Sequence, residues 1–376
     1  MIQLPGLIDT HVHLREPGAT QKEDFETGTK AAIAGGYTVV LDMPNNPETT
    51  TSLKALNKKI RLAGEDRDFT DHQSEKTPGK RAKIEHPSRI YCDVGFHFGA
   101  SPDSIAHFQA VRKKVFGLKI YMNHTTGTLL IEDKKILEEI FSSWPSHKVI
   151  MVHAEGETLE KAIRLARKFK KRLHVCHLSL KDQIEMVKKT KLSNMDITCE
   201  VTAHHLFLTR EDVKRLGPFG MMRPPLATKT DQGALWNGIK DGTVDTIASD
   251  HAPHTKEEKQ NIPTPNGIPG LETTLPLLLN AVSEKRLTMD DIIRLCHTNP
   301  ARIFNIPIQK DTYTEIDPNN RYSINDKHLF TKCKWTPFKG MGVKGKVKRV
   351  ILRGQTIFEN GEFKTGPIGK VIYPAS

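Results

Sequence analysis

Three features of the sequence predict an α/β fold, a TIM (β/α)8 barrel carrying a small C-terminal β appendage. Short apolar runs rich in β-branched residues alternate with amphipathic helical patterns. Eight such runs can be counted before the pattern changes. Histidines, a cysteine, a lysine and an aspartate recur at or near the C-terminal ends of these runs, which a barrel gathers into one mouth.

The elements follow in order. PGLIDTHVHL reads as the first strand, EDFETGTKAAIAGG as its helix and YTVVLDM as the second strand. SLKALNKKIRLAG reads as a helix and RIYCDVGFHF as the third strand. Between them, residues 65–90 are long, polar and basic, and read as an inserted surface loop. The helix SPDSIAHFQAVRKK, the strand GLKIYM, the helix DKKILEEIFSSW and the strand KVIMVHAE come next. ETLEKAIRLARKF, RLHVCHLS, LKDQIEMVKKT, DITCEVTAHHLF and TVDTIASDHAPH complete the alternation. Near-continuous apolarity suits parallel strands covered on both faces. LETTLPLLLNAVSEKRLTMDDIIRLCHTNPARIFNI then reads as helices, entered by a turn at Gly267, Pro269 and Gly270. Beyond it, VKGKVKRVILRGQTIFENGEF alternates around Asn-Gly, a hairpin signal. Residues 1–307 are therefore expected to form the barrel with its helices, and 308–376 a β appendage packed on it.

Composition narrows the class. A chain of 376 residues with 37% hydrophobic and 27% charged residues buries a large core, which excludes collagen-like and mainly disordered readings. No eighteen-residue apolar run and no basic-then-apolar N-terminus occur, so neither a membrane span nor a signal peptide is expected. The net charge of +12 is spread over KKIRLAGEDR, RKFKKR, KKTK and GKVKR. That distribution describes a solvated basic surface favouring a small anionic substrate; charge alone leaves a nucleic-acid partner as the alternative. Five scattered cysteines, at 92, 176, 199, 296 and 333, give no disulfide framework and point to a reducing cytoplasm.

The strand ends carry the chemistry. His11 and His13 are two apart and project from one face of the first strand. His153 ends the fifth, Cys176 and His177 the sixth, and Asp250 the eighth. A single loop histidine is ordinary, but several at separate strand ends suit zinc or a similar divalent cation. Lys119 sits in the apolar run GLKIYM, where an isolated charge is expensive. Snorkelling or an ion pair would relieve it; so would reaction with carbon dioxide, giving a carbamate whose oxygens bridge two metals. Arg15, two residues beyond His13, is placed to fork onto a carboxylate, with a surface pair to Glu16 as the alternative.

PGLIDTHVHLREPG, MPNN, GLKIYMN, VHAEGE, HVCHLS, TCEVTAHHLFL, ASDHAPHTKEEK, GLETTLPLLL and KWTPFKGMGVKGKV together resemble dihydroorotase of the amidohydrolase superfamily, over nearly the whole chain. Beginning almost at the HxH strand, the chain is similar to the dihydroorotase domain of the multifunctional pyrimidine-synthesis protein of animals. The resemblance implies one zinc at His11, His13, carboxylated Lys119 and Asp250, and a second at Lys119, His153 and His177. Cys176 and Glu200 match positions that either take a third zinc or pack beside the ligands. Arg15, Asn45 and His254 would hold the substrate carboxylate, and Arg223 and the backbone at Asn266 the ring. Asp250 would carry the proton between water and the amide nitrogen. Thr125 would donate a hydrogen bond from a loop that closes on substrate. Thr126 follows where the animal-type domain has an aromatic residue, which puts the mode of closure in question. His204 and His205 are expected to pack or support.

The implied reaction is reversible ring closure of N-carbamoyl-L-aspartate to (S)-dihydroorotate in pyrimidine synthesis. A homodimer is implied, with aspartate transcarbamoylase as a candidate partner and neither nucleic acid nor membrane. Two alternatives stand beside it. One is another cyclic-amide hydrolase, a dihydropyrimidinase or allantoinase, which the carboxylate set of Arg15, Asn45 and His254 argues against. The other is a non-catalytic scaffold, which would be expected to lose ligands that this sequence keeps.

Overall fold

A computed structural model describes residues 1–64 and 88–375. Most of the basic insertion expected at 65–90 therefore lies outside the described residues. The β elements are β1 (Ile2–Pro5), β2 (Leu7–Val12), β3 (Tyr37–Asp42), β4 (Asp93–Phe96), β5 (Phe98–Gly99), β6 (Gly117–Tyr121) and β7 (Val149–His153). They continue as β8 (Leu173–Val175), β9 (Ile197–Thr202), β10 (Thr246–Ala248), β11 (Tyr313–Ser323), β12 (Gly342–Leu352), β13 (Gln355–Glu359) and β14 (Glu362–Phe363).

Parallel pairing runs β2–β3–β4 and β5–β6–β7–β8–β9–β10. β4 and β5 are one barrel position broken at His97, whose backbone N–H turns to Asp42 O at 3.0 Å. The ring closes where Val12 bridges His251 in parallel, with His13 N donating to His251 O at 2.8 Å. The eight predicted strands thus form the barrel, buried throughout as two-sided coverage requires.

The helices follow the sequence periodicity. Phe25–Ala34, Leu53–Leu62, Lys134–Ser143, Glu157–Lys168 and Lys181–Leu192 wrap the outside, and Leu271–Ser283 forms despite Pro276 within it. Two segments differ from expectation. SPDSIAHFQAVRKK becomes a 3₁₀ turn, Asp103–His107, followed by a single α turn, Phe108–Val111. A helix over Lys229–Lys240, with weakly amphipathic sequence, is capped by Thr228, whose side chain accepts from Asp231 N.

The C-terminal β structure is larger than a hairpin and draws in both ends of the chain. Its order is β1–β11–β12–β13–β14, all antiparallel. Ile2–Pro5, assigned from sequence to the barrel, pairs instead with β11, so the boundary at 307 divides elements that share one sheet. Four residues cannot form a sheet alone, and the long β11 offers them a free edge. Asn360 and Gly361 turn between β13 and β14 at φ 52° and 92°, as the Asn-Gly signal predicts.

The tail then returns to the barrel. Lys370 O accepts from Val94 N and Ile372 N donates to Val94 O, both at 2.9 Å. A Cβ at Gly369 would fall 2.1 Å from Cys92 O, so only glycine permits this approach. Asp93 fastens the junction: its buried carboxylate accepts from Arg353, Gln309 Nε2 (2.6 Å) and Lys370 N (2.8 Å).

Replacing Asp93 by Ala leaves three donors without their shared acceptor. We expect Asp93→Ala to cost roughly 2–4 kcal/mol in urea unfolding and to expose the segment after Ile368 to limited proteolysis. An unchanged cleavage pattern would mean that the tail is held elsewhere.

Candidate active site

The seam between β2 and β10 sets the site. His11 and His13 leave the end of β2 and meet Asp250, just past β10: Asp250 Oδ1 lies 3.1 Å from His13 Nε2 and 3.4 Å from His11 Nε2. Asp250 (φ 46°), His177 (φ 37°) and Arg15 (φ 64°) all take left-handed backbone, a conformation non-glycine residues adopt at a cost of order 1–3 kcal/mol. These three lie together at one mouth.

Across the mouth, His153 Nδ1 faces His177 Nε2 at 3.0 Å, while His153 Nε2 and His177 Nδ1 have no hydrogen-bond partner. Burial holds both imidazoles below their usual pKa, with Lys119 adding to it, so both are neutral donors. Lys119 is fully buried; its Nζ approaches Cys176 Sγ at 3.0 Å and the Tyr121 ring at 5.1 Å. Among the described residues no carboxylate pairs with it. Beneath, Glu200 takes the hydrogen bond of His11 Nδ1, that of His177 N at 3.2 Å, and faces His174 Nε2 at 3.2 Å.

These contacts fix the charges. Burial would lower His11, but Glu200 and Asp250 outweigh it and raise it to about 10. Burial would likewise raise Glu200 and Asp250, and the imidazoles hold both ionised instead. His13 falls to about 4, chiefly by burial. The proton on His11 stands where a cation would satisfy the same carboxylates.

The donor set fits a divalent cation. His11, His13 and Asp250, and separately His11, Cys176 and Glu200, present donor atoms within 4.8 Å of one another, all buried. The facing nitrogens of His153 and His177 and the unpaired lysine fit the same conclusion. Glu200, holding the N–H of His11, orients the ring and leaves its other nitrogen for a metal.

A cavity open to solvent lies above these groups. Of the residues singled out from sequence, His11, His13, Arg15, Asn45, Lys119, Thr125, His153, His177, Arg223, Asp250 and Asn266 all line it. Cys176 and Glu200 lie beneath it and His254 behind Arg15. His254 Nε2 contacts Asn266 O at 3.0 Å and Arg15 Nη2 at 3.3 Å, and its Nδ1 faces Lys22 Nζ at 3.3 Å. With Lys22 the donor, the tautomer carries its proton on Nε2, toward Asn266. Glu16, the alternative partner of Arg15, pairs with Arg89 at 3.0 Å instead.

The loop beyond β6 spans the cavity. Asn45 Nδ2 donates to Thr126 O and Thr126 Oγ1 to Asn266 O, both at 3.1 Å. Thr126 thus joins the two walls through polar groups in the place of an aromatic ring.

Sequence reasoning missed two polar side chains of the wall. His204, expected to pack or support, lines the cavity, and its Nε2 is buried without a partner. Its neighbour His205 is held behind the wall by Thr202 Oγ1 (2.8 Å) and Pro224 O (3.1 Å). Tyr121, two residues beyond Lys119 on the same strand, was legible by counting in twos.

Residues 2–357 match the amidohydrolase family model. The chain belongs to the amidohydrolase family. It is 42% identical to the multifunctional protein CAD of Squalus acanthias over 370 residues, covering 98% of this chain and 15% of that protein. It is 36% identical to the dihydroorotase of Pyrococcus furiosus, covering 98% of this chain and 84% of that enzyme. In structure it resembles L-hydantoinase (dihydropyrimidinase) from Arthrobacter aurescens, with TM-score 0.88 at 24% identity over 99% and 89% of the two chains. It also resembles the inactive dihydroorotase-like domain of a CAD-like multifunctional protein from Chaetomium thermophilum, with TM-score 0.78 at 26% identity over 99% of each. This amidohydrolase therefore has relatives that span little beyond it and others in which it matches a small fraction of the length.

The protonated His11 makes a prediction. Zinc added to metal-free protein near neutral pH should displace that proton, and uptake should weaken on acidification. A pH indicator in weakly buffered solution reads the release; uptake without any would refute the charge assignment.

Proposed function

We propose that this amidohydrolase interconverts N-carbamoyl-L-aspartate and (S)-dihydroorotate as a dihydroorotase. One observation carries the choice of a carboxylate-bearing substrate. Arg15 lines the cavity at 5% exposure and has no carboxylate within ion-pair distance among the described residues. A guanidinium buried without a direct ion pair is costly, and a bound carboxylate lowers the cost.

His11, His13, Asp250 and carboxylated Lys119 would hold one zinc, and Lys119, His153 and His177 the other. The carbamate reading accounts for the burial of Lys119 by exchanging its charge for an anionic ligand. Cys176 and Glu200 with His11 would offer a third site, in competition with the hydrogen bonds Glu200 already accepts. When bound, such cations supply Lewis acidity to a carbonyl and a water activated at neutral pH.

The protein's own residues do the rest. Arg15 binds the substrate carboxylate with Asn45, and His254, neutral and with its Nε2–H tied to Asn266 O, stands behind Arg15. Arg223 and the Asn266 backbone hold the ring. Asp250, kept ionised by His11 and His13, accepts a proton from the attacking water and returns it to the amide nitrogen as the C–N bond breaks. In ring closure it moves the proton the other way. Thr125 and Thr126 lie across the opening and exclude bulk water.

A homodimer and association with aspartate transcarbamoylase accompany this reading through the family resemblance. Light scattering with and without that enzyme tests both.

The deciding assay is loss of dihydroorotate ultraviolet absorbance by zinc-loaded protein with bicarbonate present. Asp250→Asn should lower kcat by roughly 10²–10⁴-fold with dihydroorotate still bound. Arg15→Met should raise KM by about 100-fold, near 3 kcal/mol for a charge-assisted pair. Turnover of dihydrouracil in preference to dihydroorotate would transfer the assignment to the dihydropyrimidinases. Absence of all turnover with metal bound would favour the scaffold.

A further inference from the structure

Lys259 is fully buried, yet it is paired with no carboxylate among the described residues. Its Nζ donates to Met221 O (2.9 Å), Pro265 O (2.8 Å) and Gly267 O (3.1 Å), three acceptors for three N–H groups. The Trp335 ring lies 5.8 Å away. Lys59 provides the contrast. Equally buried, it is neutralised by Asp42 Oδ2 at 2.6 Å while it holds Met43 O and Asn46 Oδ1 beside Asn45. Carbonyl dipoles and the Trp335 ring solvate Lys259, so among the described residues its charge has no anionic partner.

Its acceptors are the backbone of the substrate wall. Met221 O leads into Met222 and Arg223, which line the cavity. Pro265 and Gly267 flank Asn266, whose carbonyl receives His254 and Thr126. Gly267 N donates to Met221 O at 3.1 Å, so one ammonium clamps both segments at their junction. The charged groups that face it and its surroundings are Arg15 and Lys22, with Glu258 taken up by Lys22 at 3.4 Å. Burial, with Arg15 adding to it, lowers the amine to about 8. His254 is held neutral by burial and by Arg15, Lys22 and Lys259.

We propose that Lys259 is a positioning residue for the substrate carboxylate, clamping the ring-contacting wall and placing an unbalanced positive charge behind Arg15 and His254. The assignment rests on the dihydroorotase reading. Its test compares orotate with its uncharged carboxamide as competitive inhibitors of the zinc-loaded protein. In Lys259→Met, checked for folding by circular dichroism, orotate binding should weaken at least 10-fold more than orotamide binding, and KM should rise more than kcat falls. Lys259→Gln keeps donors for the carbonyls without the charge; should the Met variant not fold, the same comparison is made on it. Equal weakening of both inhibitors would mean a purely structural role and overturn the proposal, as would no change in either. A wild-type protein that fails to turn over dihydroorotate would overturn the activity itself, an outcome read before any variant is compared.

Discussion

Closure of the barrel between β2 and β10 is the constraint on which the rest depends. One backbone hydrogen bond, His13 N to His251 O at 2.8 Å, and the bridge from Val12 to His251 bring together residues separated by almost the whole barrel. The seam places Asp250 against His11 and His13, and His251 is itself pinned: its Nδ1 accepts from Gly270 N at 3.1 Å and its Nε2 faces Glu23 Oε2 at 3.3 Å. The left-handed backbone at Asp250 is tolerated because both of its flanks are fixed, His251 in this way and Ser249 by its N–H donating to Asp9 Oδ2 at 3.1 Å.

Charge is divided about that seam. On one side, neutral imidazoles and ionised carboxylates form a donor set whose electrostatics call for a cation; the proton on His11 answers that call in part. On the other side, Arg15 and Lys259 are buried cations with no ion-paired carboxylate among the described residues, held by carbonyls from Pro253, Met221, Pro265 and Gly267. A ligand with an electrophilic carbonyl at one end and a carboxylate at the other, as the proposed substrate has, would satisfy both sides at once. The C-terminal segment contributes to this division, since Trp335 Nε1 donates to His254 O at 2.8 Å and so ties the β structure to the substrate wall.

Much of this was legible in the sequence because barrel strands have a fixed period. Residues two apart at a strand end must share a face, which is why His11 and His13, and later Lys119 and Tyr121, converge. Past Glu200 the run continues from a strand into the helix Ala203–Phe207, where period two gives way and the wall residue His204 is obscured. The helix Lys229–Lys240 was missed because its stability comes from packing and a Thr228 cap rather than from a strong apolar stripe. At Asp103–His107 the pattern was helical, and the chain took a 3₁₀ turn where an α-helix was expected.

The sequence by itself determined the strand rhythm, the hairpin at Asn360–Gly361 and the identity of the chemical groups, because these depend on local period and local backbone preference. Tertiary structure alone decided the pairing of Ile2–Pro5 with β11, the docking of the tail on Val94, and the position of His254 behind Arg15. It also decided which buried lysine is neutralised and which is not. Neither Lys59 nor Lys259 shows its partner in the local sequence; only the fold sets Asp42 beside one and three bare carbonyls beside the other. The reason is physical: the cost of a buried charge is set by what surrounds it in space, and those neighbours come from distant parts of the chain.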